Sequence, residues 1–267
     1  MTYKVILCDF DYTLGDSTEG IIQCVNAGLK ATGYPQSNED SVKPTIGLSL
    51  EKTYEVLTGD KDTQNAQIFT EAFKNEADRD MVHTAYLYDG ALPFLRSVKD
   101  RGKKIGIVTT KYNRRIVEIF EKYDAMDYID LIVGGDSVRK VKPDPEGINQ
   151  AIDFFGIFPK DVLFIGDSDV DAEAAYSAGV DFIGVRTGFS HGKEFSKFPF
   201  ATTVNLPLIW KMFANTPAFP KRKLLKYILL PIILYICSVF CQVFHTLAEW
   251  IKELKPPALI RPEPLFP

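Results

Sequence analysis

Two carboxylates stand two residues apart in Asp9-Phe-Asp11, directly behind the apolar run Val5-Ile-Leu-Cys8. A carboxylate can attack phosphorus as a nucleophile, and a second one beside it can hand a proton to the departing alkoxide. The plainer reading of the same residues is a pair of loop acids capping the next helix. Thr109-Thr110-Lys111 follows a second apolar run. A hydroxyl with adjacent backbone N–H groups at such a place can hold a phosphoryl oxygen, although a helix N-cap has the same composition.

Two later segments add charge of both signs. In Val141-Lys142-Pro143-Asp144-Pro145 a lysine is fixed between rigid neighbours and can offset an attacking carboxylate and a phosphate dianion; the alternative is a surface turn. Gly166-Asp167-Ser168-Asp169-Val170-Asp171 packs three acids behind another apolar run. Acids this close repel one another unless a cation sits among them. Hard oxygen ligands next to a phosphate suit Mg²⁺, and the spacing lacks the later bidentate Glu of a calcium loop.

These segments need elements that bring them together. Short continuous apolar runs at residues 5–8, 104–108, 129–133, 162–165 and 181–185 predict strands buried on both faces. Helical patterns at 92–101, 113–123, 146–155 and 170–178 separate them, and this alternation predicts an α/β, Rossmann-like parallel sheet. Ligands of such sheets bind at the carboxyl ends of the strands, where the four segments fall. Residues 16–86 carry no strand pattern. Helical periods such as Ile21/Ile22/Val25/Leu29 and Ile68/Phe69/Ala72/Phe73/Ala77 instead predict a helical insertion after the first strand.

The C-terminal part differs in character. A basic stretch, Lys221-Arg-Lys-Leu-Leu-Lys226, precedes the apolar residues 227–243. As a helix that run spans roughly 26 Å, just under a bilayer core of about 30 Å, so it reads either as a membrane anchor or as a helix docked on the sheet. The basic flank would keep the preceding domain cytosolic. The expected organisation is an α/β core of residues 1–15 and 88–215, a helical unit of 16–87, a hydrophobic helix of 221–250 and a proline-rich tail of 251–267.

Composition narrows the function further. The 267 residues carry a net charge of −4, and no basic block occurs in the first two hundred. That argues against a nucleic-acid partner, which needs clustered Lys and Arg. Of the four cysteines, Cys8 and Cys24 lack metal-type spacing and nothing suggests a disulfide framework, which fits a reduced, cytoplasmic setting; the N-terminus lacks a cleavable signal pattern.

At these residues the sequence resembles the haloacid dehalogenase (HAD) superfamily of phosphohydrolases, over roughly residues 4–205, with a signature of four parts in the family's order. The resemblance implies a HAD core with an α-helical cap inserted between the first two motifs. It implies Asp9 as nucleophile, Asp11 as acid/base, Thr109 as the phosphate-binding hydroxyl and Lys142 as the charge-compensating lysine, with Phe10, Thr110 and Lys142 as substrate contacts. Mg²⁺ would be held by Asp9, Asp167 and the main-chain carbonyl of Asp11, with Asp171 in the outer shell. Tyr12 departs from the family's usual Gly, and Gly15 from a frequent apolar residue. Asp11 itself argues against the dehalogenase branch.

Residues 46–51 are similar to the cap of phosphoglycolate phosphatase-like members, so the expected substrate is a small phosphorylated metabolite. Lys43, Lys52 and Arg79 are the insert's candidate contacts, with solvated helix faces as the alternative. A phosphomutase of the β-phosphoglucomutase type would place an Arg near Leu50, and none is there. A pyrophosphatase of the same superfamily is another alternative, as is a catalytically silent, membrane-tethered HAD-like binding protein. No feature of the sequence bears on oligomeric state.

Overall fold

The computed structural model describes residues 3–187 and the backbone of residues 201–204. Its centre is a six-stranded sheet in the order β5-β4-β1-β6-β7-β8. The strands are β1 (Val5–Cys8), β4 (Lys104–Val108), β5 (Leu131–Val133), β6 (Val162–Gly166), β7 (Asp181–Val185) and β8 (Ala201–Val204). Every adjacent pair is parallel. β1 and β6 are buried along their whole length because helices cover both faces, which is why they read as unbroken apolar runs.

Alternation along β1 divides the core. Val5 and Leu7 join Phe164 of β6 and Phe182 of β7 under α7 (Glu146–Phe155) and α8 (Asp169–Ala178), contributing Ile148 and Ala175 among others. Ile6 and Cys8 point to the opposite face, and α5 (Ala91–Asp100) packs on β4. α6 (Asn113–Lys122) packs beside it against β5 and buries Ile116, Ile119 and Phe120. The strand order reverses around β1, with β4 on one side and β6 on the other, which opens a crevice at their carboxyl ends.

Between β1 and β4 the chain builds a helical unit with its own core. α1 (Thr18–Ala31) packs along α4 (Thr63–Thr84), with α2 (Glu39–Val42) and α3 (Leu50–Thr58) closing the side. Val25, Leu29, Tyr54, Phe69, Phe73 and Met81 form its apolar centre. Gly28 sits where a Cβ would lie 2.5 Å from the Phe69 ring, so its missing side chain sets how closely the two helices approach. Tyr54 is fully buried and donates its hydroxyl to Asp60 at 2.6 Å, fixing the turn between α3 and α4.

Both ends of this unit pass through a two-stranded antiparallel ribbon, β2 (Gly15–Asp16) with β3 (Tyr86–Leu87). This corrects the expectation of no strand in residues 16–86, since Asp16 and Tyr86 pair across the ribbon. Strands of two residues are too short to show a period. Gly15 is required here: a Cβ would meet the Tyr86 carbonyl oxygen at 2.5 Å and the Phe10 ring at 2.9 Å. β5 starts at Leu131 rather than at residue 129, because Asp130 is tied instead to the Ile105 N–H, Lys99 and Lys104. β8 was not expected from the sequence. No helix among the described residues is long and apolar enough to cross a membrane. The expected hydrophobic helix of residues 221–250, its membrane reading and the proline-rich tail lie outside the described residues.

Candidate active site

Asp9, Thr109 and Asp167 are each the first residue beyond a buried strand: β1, β4 and β6. The register Cys8↔Ile107 and Cys8↔Ile165 puts these three strand ends side by side. Backbone bonds then fix the positions, with the Asp9 N–H donating to the Ile165 carbonyl and the Thr109 N–H to that of Val133. Carboxylate oxygens of Asp9, Asp167 and Asp171 lie within 4.8 Å of one another, all three side chains being buried.

Lys142 enters from the segment between β5 and α7, where the Lys142–Pro143 bond that follows it is cis. Its Nζ lies 2.9 Å from Asp9 Oδ1 and 2.5 Å from Asp171 Oδ1. Asp171 is also the N3 residue of a capping box on α8: its Oδ2 accepts from both the N–H and the hydroxyl of Ser168. The helix start thereby orients Asp171, and Asp171 orients Lys142. Gly166 leaves the room, because a Cβ there would fall 2.6 Å from the Asp171 carboxylate.

The electrostatics follow from three acids and one cation in a dry place. Burial pushes Asp9 up to about 6; Lys142 opposes the rise, while Asp171 and Asp11 add to it. Asp167 is raised well above the usual carboxylate range by burial, then by Asp171 and Asp9. Burial pulls the Lys142 ammonium down, but Asp171 and Asp9 together outweigh it and hold the amine charged. The cluster therefore carries more negative charge than its lysine balances. Three carboxylates of this kind, with hard oxygen donors and unrelieved repulsion, fit a small divalent cation such as Mg²⁺.

Asp11 stands apart from that group. Its carboxylate is not one of the three converging side chains; its Oδ2 pairs with Lys111 Nζ at 3.1 Å. Only its main chain is left for the metal role that the family resemblance implies. Phe10 is placed in a similar way. Its side chain is fully buried against Phe120, ring centroids 6.1 Å apart, so only its backbone can meet a substrate. Thr110 lines a cavity of about 640 Å³ that runs from Asp11 to the helical unit. Lys52 also lines it while pairing with Glu55, whereas Lys43 pairs with Glu39 and Arg79 with Glu76.

Both departures in the first motif have structural reasons. Tyr12 takes φ +56°, the left-handed region that glycine enters freely and other residues enter at a cost of about 1–2 kcal/mol. Its side chain turns away to meet the Thr18 hydroxyl at 2.8 Å, and its carbonyl accepts from Thr187. Two residues were missed by sequence reasoning. Lys111 was quoted in the second motif without a role, yet its side chain is 4 % exposed and faces Asp11. Arg115, one turn into α6, is buried although a charged residue on a helix usually faces water. The position of Lys111 behind a strand was the available signal; Arg115 gave none.

Residues 6–185 match the family described as haloacid dehalogenase-like hydrolase. The chain belongs to that family. Among curated relatives, it is 30 % identical over 196 residues to the phosphoglycolate phosphatase of Nitrosospira multiformis, covering 72 % of this chain and 86 % of that protein. It is 31 % identical to the phosphoglycolate phosphatase of Aquifex aeolicus, covering 66 % and 81 %. A solved structure described as a haloacid dehalogenase-like hydrolase from Bacteroides fragilis superposes with a TM-score of 0.74 at 40 % identity, over 78 % of this chain and 99 % of that one.

Proposed function

We propose that this hydrolase is a Mg²⁺-dependent phosphomonoesterase that forms an aspartyl-phosphate on Asp9, with a small phosphorylated acid of the phosphoglycolate type as substrate. The observation that carries the reading is the meeting of Asp9, Asp167, Asp171 and Lys142 at the carboxyl edge of the sheet, next to Asp11. The names of the curated relatives support the substrate class.

Asp9 attacks phosphorus in line with the ester oxygen, forming the acyl-phosphate bond as the P–O ester bond breaks. Asp11 gives its proton to the leaving alkoxide, then takes one from the water that attacks the phosphorus and releases Asp9. Lys142 faces the nucleophile and offsets the charge that gathers there, and Asp171 keeps its amine aimed at Asp9. The Thr109 hydroxyl and backbone N–H groups of the first two loops bind the phosphoryl oxygens. Asp9, Asp167 and the Asp11 carbonyl would hold Mg²⁺, which when bound supplies positive charge to the phosphate. The helical unit acts as the cap that excludes bulk water.

The test is phosphate release from 2-phosphoglycolate, sugar phosphates, nucleoside monophosphates and p-nitrophenyl phosphate, with Mg²⁺ and with a chelator. Release should need Mg²⁺ and vanish in Asp9→Asn, whose circular dichroism should match the parent. Turnover retained by Asp9→Asn would refute the nucleophile, and a wild-type protein inert on the whole panel would refute the enzyme.

A further inference from the structure

Two buried cations have no part in the reaction steps described above. Lys111 Nζ sits between the core and the helical unit, 3.1 Å from Asp11 Oδ2 and 3.4 Å from Met81 Sδ on α4. Arg115, 5 % exposed, donates from one terminal nitrogen to the Lys74 carbonyl at 3.3 Å and to Asp78 Oδ1 at 3.1 Å. Its Nε is buried and has no hydrogen-bond partner. The Thr70 hydroxyl of α4 is buried and unpartnered as well. Lys111, Arg115 and Thr70 all line the cavity that begins at Asp11. Buried donors with spare capacity, two of them cationic, mark a place where an anion would be bound.

The position limits that anion. An ester oxygen protonated by Asp11 lies at hydrogen-bond distance from its carboxyl group, and Lys111 Nζ is 3.1 Å from the same group. Across the two oxygens of that carboxyl group, the ester oxygen and the amine are then no more than about 8 Å apart. A carboxylate on the carbon next to the ester is three bonds from that oxygen, roughly 3 Å away, and falls in the gap. A sugar hydroxyl at the same place would leave Lys111 without an anionic partner once Asp11 has taken up its proton.

We propose that Lys111 and Arg115 form an anion subsite for the carboxylate of a 2-phosphooxy acid, so that this chain selects phosphate esters with a negative group on the adjacent carbon. The inference rests on the phosphatase reading above and adds the residues that set specificity. Lys111 contacts the substrate carboxylate directly. Arg115 supplies the second charge from α6, its guanidinium carried 5.2 Å from the centre of the Tyr112 ring.

The experiment compares kcat/KM for 2-phosphoglycolate, its uncharged amide counterpart and p-nitrophenyl phosphate, using the full chain with Mg²⁺. Wild type should prefer the acid over the amide by tenfold or more. Lys111→Met and Arg115→Met should bring that ratio towards one, chiefly through KM for the acid. The ratio compares two esters on one protein, so losses that act through Asp11 or through folding cancel. Should a Met variant fail to fold, wild-type inhibition decides: glycolate must inhibit p-nitrophenyl phosphate hydrolysis more strongly than glycolamide. Equal efficiency on acid and amide, or equal inhibition, overturns the subsite and leaves the phosphatase reading standing. No release from any of the three esters overturns both.

Discussion

The ammonium of Lys142 donates to Asp171 Oδ1 at 2.5 Å in an interior where the two side chains are 5 % and 0 % exposed. Asp171 belongs to the start of α8 and Lys142 to a loop before α7, so this contact ties two separate segments to the nucleophile's strand. Replacing Lys142 by Met removes the cation from a group of buried acids. Breaking a buried charge pair from one side costs on the order of 3–5 kcal/mol. Lys142→Met is expected to lose at least a hundredfold in kcat and to melt well below the parent. Asp171→Asn keeps the Ser168 contacts in part and should lose less stability. A Lys142→Met protein with parental melting temperature and activity would remove the lysine from both roles.

The charge cluster also sets a pH dependence. The folded-state value of Asp9, about 6, is above the ordinary 3.8, so the folded state keeps a proton that the unfolded chain releases. Its contribution to stability is therefore full below about pH 4 and lost as pH rises through about 6. Mg²⁺ relieves the same repulsion and competes with that proton. Differential scanning fluorimetry should show a larger Mg²⁺-induced rise in Tm at pH 7.5 than at pH 5, with the contrast reduced in Asp9→Asn. An equal shift at both pH values would contradict the assignment of the cation to this cluster.

Gly166 offers a test that removes no charged group. An Ala Cβ would come within 2.6 Å of the Asp171 side chain, which is fully buried and held by Ser168 and Lys142. Overpacking of this kind costs typically about 1–3 kcal/mol. Gly166→Ala should lower kcat by tenfold or more through displaced Asp171 and Lys142, with KM changed little. Unchanged turnover would mean that the Asp171–Lys142 geometry does not matter to the reaction.

In the helical unit, Gly28→Ala pushes a methyl group to 2.5 Å from the Phe69 ring. Alanine is the better helix former by up to about 1 kcal/mol, but the clash at a buried ring outweighs that gain. The variant should melt lower than wild type in thermal denaturation. A Tm at or above the parent's would show that α1 and α4 can separate without cost.

The edge that carries the candidate site was legible because buried parallel strands are unbroken apolar runs, and each motif begins where a run stops. Asp9, Thr109 and Asp167 are first residues after β1, β4 and β6, so counting along the chain locates them. Lys142 was found by its proline-flanked setting and motif order, while its bond to Asp171 spans a stretch no local pattern reports. Lys111 and Arg115 were missed for a different reason. Burial of a cation depends on what packs over it, here Met81, Lys74 and Asp78 of α4.

The sequence alone determined the parallel sheet, the helical insertion and the order of the acid- and lysine-bearing loops, since periodicity and strand-end placement are local properties. Tertiary structure decided which charges share a space. It separated the carboxylate of Asp11 from those of Asp9, Asp167 and Asp171, turned the Phe10 side chain into the core, and placed Tyr12 in the left-handed region. Those outcomes depend on distances between segments far apart in the chain, where a few ångströms separate a metal ligand from the partner of a lysine.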